Sequence, residues 1–471
     1  MKIIGRDKEK KLLKQCMQSG EPEFITVYGR RRVGKTYLIN EFFDEDFAFS
    51  VTGLAGEDKA AQLKNFCASI KKYSGNELDV DNWYDAFEAL ITMLEKSRVS
   101  GRKIIFIDEL PWLDTRKSGF LSALEHFWNG WANSNRDILL IVCGSATSWM
   151  INKLIRNRGG LHNRVTRRMR INPFTLVETE EYLIYKNINV PRIDIAQAYM
   201  VFGGIPFYLK QLEQGKSIAQ NIDRLCFEKD SFMLDEFSVL FKSLFRNSEK
   251  HLKVLTALGS KKNGLLREDI LDLTGLKSGG GVTAVLDELE QCGFIEATND
   301  YSGKSGRYVY QLTDFFTAFY LKFMKKNKQL DTGYWSKTIG SGTYYAWAGP
   351  TFEKLCRVHI DKIKNKLSIG GILATPYAWA KAGKEGVKGA QIDLLIDRND
   401  NIINICECKF VNDEFVIDKD YDEALRNKIG VFVREVKTRK TPHITMITTY
   451  GVKQNKYSGI VQSEVILEDL F

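Results

Sequence analysis

The sequence lacks any apolar run near the ~18 to 20 residues that a membrane-spanning helix needs. Its longest apolar blocks, such as Ile104–Ile107 and Ile138–Val142, are strand-sized. It opens on Met1-Lys2-Ile3-Ile4-Gly5-Arg6, without the apolar core or small-residue cleavage site of a secretory signal. Secretion and a membrane partner are therefore not expected. Cysteine occurs at positions 16, 67, 143, 226, 292, 356, 406 and 408, but never as C-x-x-C. That scatter excludes a disulfide scaffold and a zinc ribbon, and fits reduced thiols in the cytoplasm. The histidines do not cluster, so a histidine-based metal site has no support. No fixed-period repeat or long low-complexity segment is present.

What is present reads as ordinary globular protein. A length of 471 residues suggests about three domains. With 44% hydrophobic and 27% charged residues, a wholly disordered chain is excluded. The net charge, 68 − 59 = +9, gives a mild bias towards polyanions such as nucleotides or nucleic acid.

Residues 1–175 alternate short apolar strands, at Phe24–Tyr28, Lys103–Ile107 and Ile138–Cys143, with helical stretches. That alternation predicts an α/β domain with a doubly wound parallel sheet covered on both faces. Residues 176–244 read as a helical subdomain, with helices over Glu178–Lys186, Asp194–Val201 and Phe207–Gln214. Residues 245–315 read as three helices (Ser248–Leu258, Arg267–Leu273 and Val282–Cys292) followed by a hairpin around Asp300–Arg307. Gly279-Gly280-Gly281 is expected to be a turn. This is the order of a winged helix. An aromatic and glycine-rich bridging segment, 316–348, leads to a mixed helix and strand domain at 349–471.

Gly29-Arg30-Arg31-Arg32-Val33-Gly34-Lys35-Thr36 fits G-x-x-x-x-G-K-[ST] between a strand and a helix. Glycines such as Gly29 and Gly34 let the backbone N–H groups, those of Arg32 and Val33 included, wrap phosphates at a helix N-terminus. Lys35 is expected to reach the β/γ-phosphates of ATP, and the Thr36 hydroxyl to ligate Mg²⁺. The strand Lys103–Ile107 ends in Asp108-Glu109, at the edge where α/β sheets bind ligands. Asp108 is expected in the Mg²⁺ shell, and Glu109 as the residue that orients the attacking water. At the tip of the third strand, Ser145 can contact the γ-phosphate or the water, or cap the next helix.

Together these motifs resemble the AAA+ class of ATPases. Ile4-Gly5-Arg6-Asp7-Lys8-Glu9 is similar to the "G-R-x-x-E" box of its signal-transducing members. Gly144-Ser145 and Gly203-Gly204-Ile205-Pro206, with the phosphate loop, resemble the archaeal-type ATPase subfamily, which also occurs in bacteria. The resemblance covers about 1–325 and implies an ATP-driven conformational switch with a helical lid. It also implies an arginine finger, for which Arg164 stands at the expected place before a strand Arg168–Ile171; Arg158, Arg167 and Arg168 compete. The expected recognition helix, Val282–Cys292, carries Asp287, Glu288 and Glu290 and no Lys or Arg. Its flanking cations are Lys277, Lys304 and Arg307. A DNA contact and an internal packing role both remain open for it.

In the C-terminal domain, Gln391–Asp397 and Asn404–Phe410 read as two strands of a hairpin joined by Arg398–Asn401. A side-chain period of two puts Glu407 and Lys409 on one face, and Cys406, Cys408 and Phe410 on the other. Asp393 and Glu407 can then meet at one divalent ion, with Lys409 beside the activated water or the reacting phosphate. Glu353, on a helix begun by Gly349-Pro350-Thr351-Phe352, could complete the set. This resembles the PD-(D/E)xK nuclease superfamily over about 345–450 and implies a Mg²⁺ or Mn²⁺ site acting on DNA. A buried structural ion pair is the competing reading. Cys406 and Cys408 read as core. Expected partners are ATP and DNA, with self-association left open.

Overall fold

The computed structural model describes every residue except 1, 98–100, 157, 158, 162, 230, 246, 263, 300, 302–307, 326–332, 382 and 384–388. Arg158, Lys304, Arg307 and most of the expected Asp300–Arg307 turn thus lie outside the described residues. The chain divides into two compact units, Met1–Pro173 and Phe174–Phe471.

The first unit is built on five parallel strands: β1 (Glu23–Tyr28), β2 (Phe49–Thr52), β3 (Lys103–Asp108), β4 (Ile138–Gly144) and β5 (Arg167–Arg170). Their order is β2-β3-β4-β1-β5. β4 is buried along its whole length and flanked on both sides, which is why it reads as an unbroken apolar run. β5, at the edge, buries only Met169 among its arginines. β2 is a strand that the apolar runs did not predict.

One face of the sheet is covered by helices Lys59–Ser74, Trp83–Lys96 and Phe120–Gly130. Asp58 and Asn82 cap the first two, each accepting a backbone N–H. Their inner faces form an aromatic core. Trp83 packs edge-on to Phe120 at 4.8 Å, and Phe87 stacks on Phe127 at 5.1 Å. Each such ring removed from water stabilises the unit by roughly 1.5–3 kcal/mol.

The second unit begins with helices Leu176–Tyr185, Arg192–Phe202, Ile218–Cys226 and Phe232–Leu244. Thr175 and Ser217 start the first and third with reciprocal capping boxes. The helix expected over Phe207–Gln214 is one turn, Pro206–Leu209. Next come helix Ser248–Gly259, β6 (Leu265–Leu266), helices Arg267–Thr274 and Gly280–Gln291, then β7 (Ile295–Asn299) and β8 (Tyr308–Leu312). The three strands form an antiparallel sheet in the order β6-β8-β7. Gly280 and Gly281 open the third helix and so do not form the expected turn.

The described large aromatics Phe316, Phe319, Phe323, Trp335, Tyr344 and Trp347 of the segment expected as a bridge are core. Trp335 is fully buried, 5.0 Å from Phe319 and 5.1 Å from Trp347. Helix Gly342–Val358 runs through the expected 348/349 boundary, so Pro350 lies inside it and not at its start. Tyr344, Trp347, Ala348, Thr351, Phe352 and Leu355 supply a buried stripe at helical spacing. That packing outweighs the one backbone hydrogen bond that proline removes.

A second sheet closes the unit: β9 (Ala374–Lys381), β10 (Ala390–Arg398), β11 (Ile402–Lys409), β12 (Thr441–Thr448) and β13 (Ser463–Ile466). Its order is β13-β12-β11-β10-β9, with β9, β10 and β11 antiparallel and β11, β12 and β13 parallel. Helix Lys419–Val436 contributes Leu425 and Phe432 to a core with Ile392, Leu395, Ile405 and Met446. Among the described residues, no helix is long and apolar enough to cross a membrane.

Candidate functional site

The first site sits at the C-terminal ends of β1, β3 and β4. Between β1 and helix Lys35–Phe42 the chain turns through left-handed backbone at Arg32 (φ 72°) and Gly34 (φ 87°). Arg32 is not a glycine, so that conformation stores strain, as ligand-binding turns often do. Gly29 is required on space as well. A Cβ there would lie 2.2 Å from the carbonyl oxygen of Ile171. Arg6 is buried, and its guanidinium donates to the carbonyl oxygen of Val33 at 3.1 Å. The N-terminal box is thus tied to the loop.

Lys35 is also buried, and its Nζ donates to the carbonyl oxygens of Gly29 (3.1 Å) and Arg30 (2.9 Å). The Thr36 hydroxyl donates to Asp108 Oδ2 at 2.8 Å. Burial pushes the Asp108 carboxyl above its ordinary range, against the opposing Thr36 hydrogen bond. A hydroxyl and a carboxylate oxygen brought together this way are hard donors that fit Mg²⁺. Ser145 meets Glu109 with two donors. Its hydroxyl reaches Oε1 at 2.6 Å, and its backbone N–H reaches Oε2 at 3.1 Å.

The structure therefore brings Gly29, Arg32, Val33, Gly34, Lys35, Thr36, Asp108, Glu109 and Ser145 to one end of the sheet. Arg164 is not among them. It lies exposed just before β5, and the neighbouring Thr166 N–H donates to Phe24, at the start of β1. The rise of a strand puts that end about 20 Å from the phosphate loop. Arg167 is drawn to Glu23 at 3.5 Å, at the same remote end.

The second site lies in the C-terminal sheet. β10 has one more residue than β9 between Ile392 and Leu395, a bulge that falls at Asp393-Leu394. Asp393 Oδ2 accepts the N–H of Cys408 at 3.1 Å. Glu407 and Lys409 share a face as expected, and Lys409 Nζ donates to Glu407 Oε1 at 2.8 Å. Two partners were not foreseen. The Tyr421 hydroxyl donates to the same oxygen at 3.1 Å, and Lys428 pairs with Oε2. Glu353 is paired with Lys262 at 2.9 Å. Cys406 and Cys408 are buried, as core residues should be.

The electrostatics link these groups. Burial first, and Glu407 second, raise the Asp393 carboxyl above its ordinary range. Burial and then Asp393 do the same to Glu353. For Glu407, burial works against ionisation, but Lys428 and Lys409 together hold the carboxyl below its ordinary range. Burial is the larger cause of both upward shifts, and lysines oppose it: Lys262 and Lys409 at Glu353, Lys428 and Lys409 at Asp393. Glu407 is already neutralised by lysines. Among the described residues, no group of three or more His, Cys, Asp or Glu is arranged to hold a metal ion.

The acidic third helix of the 248–312 segment also has an internal explanation. Glu288 Oε2 is 2.7 Å from His251 Nε2, and Glu290 accepts the N–H of Ala297 at 3.0 Å. Asp287 is the exposed member of the three.

The chain is 27% identical over 408 residues to an uncharacterized protein of Methanocaldococcus jannaschii, covering 85% of each. Among solved structures it is similar to the Walker-type ATPase of Pyrococcus abyssi (18% identity, TM-score 0.49, 68% of this chain and 96% of that one). It is also similar to the ORC2 protein of Aeropyrum pernix (13% identity, TM-score 0.41, 68% and 92%). Residues 4–212 match the family described as "ATPase domain predominantly from Archaea". This stretch, which contains the phosphate loop and the Asp108-Glu109 strand, is an ATPase domain of the P-loop type.

Proposed function

We propose that this chain is an ATP-driven switch coupled to a metal-dependent nuclease acting on DNA. In the ATPase part, backbone N–H groups of residues 29–34 hold the phosphates, and Lys35 turns from its two carbonyls to the β/γ-phosphates. Thr36 and Asp108 would hold Mg²⁺, which neutralises charge between those phosphates. Glu109 orients the attacking water, and Ser145 fixes the Glu109 carboxylate in place. Because Arg164 is remote from its own loop, its finger role requires a neighbouring copy of the chain.

The 248–312 segment, with its α-β-α-α-β-β order, reads as a winged helix. The internal contacts of Glu288 and Glu290 favour packing over DNA contact for its third helix.

In the C-terminal part, Asp393, Glu353 and Glu407 would have to leave their present pairs and draw together to hold a Mg²⁺ or Mn²⁺ ion, which would supply an activated water. Lys409 serves the charge that develops on the phosphate. The observation that carries this reading is the hairpin that sets Asp393 Oδ2 on the N–H of Cys408, between Glu407 and Lys409, with those two side chains on one face. A second reading, a switch that binds without cutting, is favoured by the lysine pairs on Glu407. Incubating the full chain with labelled DNA and Mg²⁺ or Mn²⁺, with and without ATP, separates them. Cleavage supports the first, and binding without cleavage the second.

A further inference from the structure

A cavity of about 300 Å³ opens between the end of helix Ser248–Gly259, strand β8 and helix Gly342–Val358. Its charged lining is mostly cationic: Lys261, Lys262, Lys322, Lys354 and Arg357 stand against Glu296 and Glu353, among apolar and neutral residues. Two of these cations have internal work. Lys262 pairs with Glu353 at 2.9 Å, and Arg357 donates to Gln311 Oε1 at 2.9 Å and to the carbonyl of Asp393. Among the described residues, no carboxylate is paired with Lys261 or Lys322, while Asp314 acts on the charge of Lys354. Lys261 and Lys322 are exposed, while Lys354 lies 5.3 Å over the ring of Phe315. The cavity leads somewhere specific. Glu353 forms part of its wall, and Arg357 reaches from it to the backbone of Asp393.

We propose that this groove binds a single strand of DNA by its phosphates and leads it to Glu353 and Asp393. Delivery to those carboxylates rests on the nuclease reading; binding of the strand does not. Unpaired lysines along a groove are the arrangement that tracks a phosphate chain. A cavity of this volume is at the small end for ligand sites. A flexible single strand can bend into a concave site of this size, whereas a duplex is stiff over many base pairs. The opposite candidate, helix Gly280–Gln291, exposes Asp287, and the described cations beside its start are Lys277 and Arg267, the latter donating to Ser278 Oγ at 3.3 Å.

Fluorescence anisotropy of labelled single-stranded and duplex oligonucleotides, with the full chain and without added metal, tests this. Wild type should bind the single strand more tightly than the duplex. The double variant Lys261→Glu/Lys322→Glu should raise the single-strand Kd at least tenfold. It should also flatten the dependence of log Kd on log salt by about 1.4, at ~0.7 per phosphate contact. Lys261→Gln/Lys322→Gln should move both quantities the same way by less, which a misfolded variant would not do. Lys277→Glu should change neither. No single-strand binding by wild type, wild-type binding by the double variant, or a loss confined to Lys277→Glu would each overturn the proposal. If wild type binds the strand through these lysines but does not cut it, the groove stands and the nuclease reading falls. If it cuts and the double variant cuts equally well, the groove falls and the nuclease reading stands.

Discussion

Ser145 holds both oxygens of the Glu109 carboxylate, one through its hydroxyl and one through its backbone N–H. The strand tip of β4 is thus linked to the residue that follows β3. Glu109 itself sits in left-handed backbone (φ 47°), a strained position that the paired hydrogen bonds help to maintain. Glu109→Gln should leave ATP binding intact and stall turnover, measured as phosphate release against nucleotide affinity. Ser145→Ala keeps the N–H and removes only the hydroxyl bond. A charge-assisted bond of about 1.5 kcal/mol predicts a fall in kcat of roughly tenfold. Unchanged kcat in both variants would show that another residue orients the water.

Lys35 carries the phosphate charge in this account. Its Nζ rests on two loop carbonyls, which also makes it part of the loop's own structure. Lys35→Ala should abolish hydrolysis and weaken ATP binding, read by calorimetry with Mg²⁺. A variant that binds ATP as tightly as wild type would contradict the assignment.

The loop and its acidic strand were legible because each depends on local pattern. A glycine-lysine spacing and four consecutive apolar residues before Asp108 need no knowledge of the remaining chain. The Asp393–Glu407 hairpin was legible for the same reason, through its period of two. Lys428 was not, because its role is set by a helix that packs back from later in the chain. The signal was there in part. Tyr421, Leu425, Lys428 and Phe432 fall on one helical face, and Leu425 and Phe432 are buried. A lysine in such a stripe is out of place unless a carboxylate meets it. β2 was missed because Phe49-Ser50-Val51-Thr52 is short and takes its stability from pairing with β3. The start of helix Gly342–Val358 was misplaced because proline is commonest in a first helical turn. Here the buried faces of Tyr344 and Trp347 extend the helix backwards through it.

A divalent cation would have to compete with Lys409 and Lys428 for Glu407. Lys428→Met removes one competitor and should tighten Mn²⁺ binding, followed by calorimetry. If the cluster is purely structural, no Mn²⁺ binds. Loss of both lysines, Lys409→Met with Lys428→Met, then costs about 3–5 kcal/mol by stranding a buried charge.

Asp393 also makes a pH prediction. Its folded-state pKa is raised above 3.8 by burial and by Glu407, so the folded chain binds this proton more tightly than the unfolded chain. Its contribution is fully present below the ordinary aspartate value and is lost as pH rises through the folded value. Comparing thermal melts of wild type and Asp393→Asn between roughly pH 4 and 8 isolates this slope from that of Glu407, which has the opposite sign. Wild type should lose stability relative to Asp393→Asn as pH rises. Mg²⁺ should restore it at neutral pH, by about 2.7 kcal/mol at a hundredfold excess over Kd. Parallel curves, unmoved by Mg²⁺, would argue against a cation site at Asp393.

The most direct test of the coupled ATPase and nuclease is cleavage of labelled DNA by the full chain in Mg²⁺ or Mn²⁺, with and without ATP. Wild type, Lys35→Ala and Asp393→Asn are run side by side. The account predicts metal-dependent cleavage that disappears in Asp393→Asn and loses its response to ATP in Lys35→Ala. Equal products from wild type and Asp393→Asn, or no products from wild type with either metal, would contradict it.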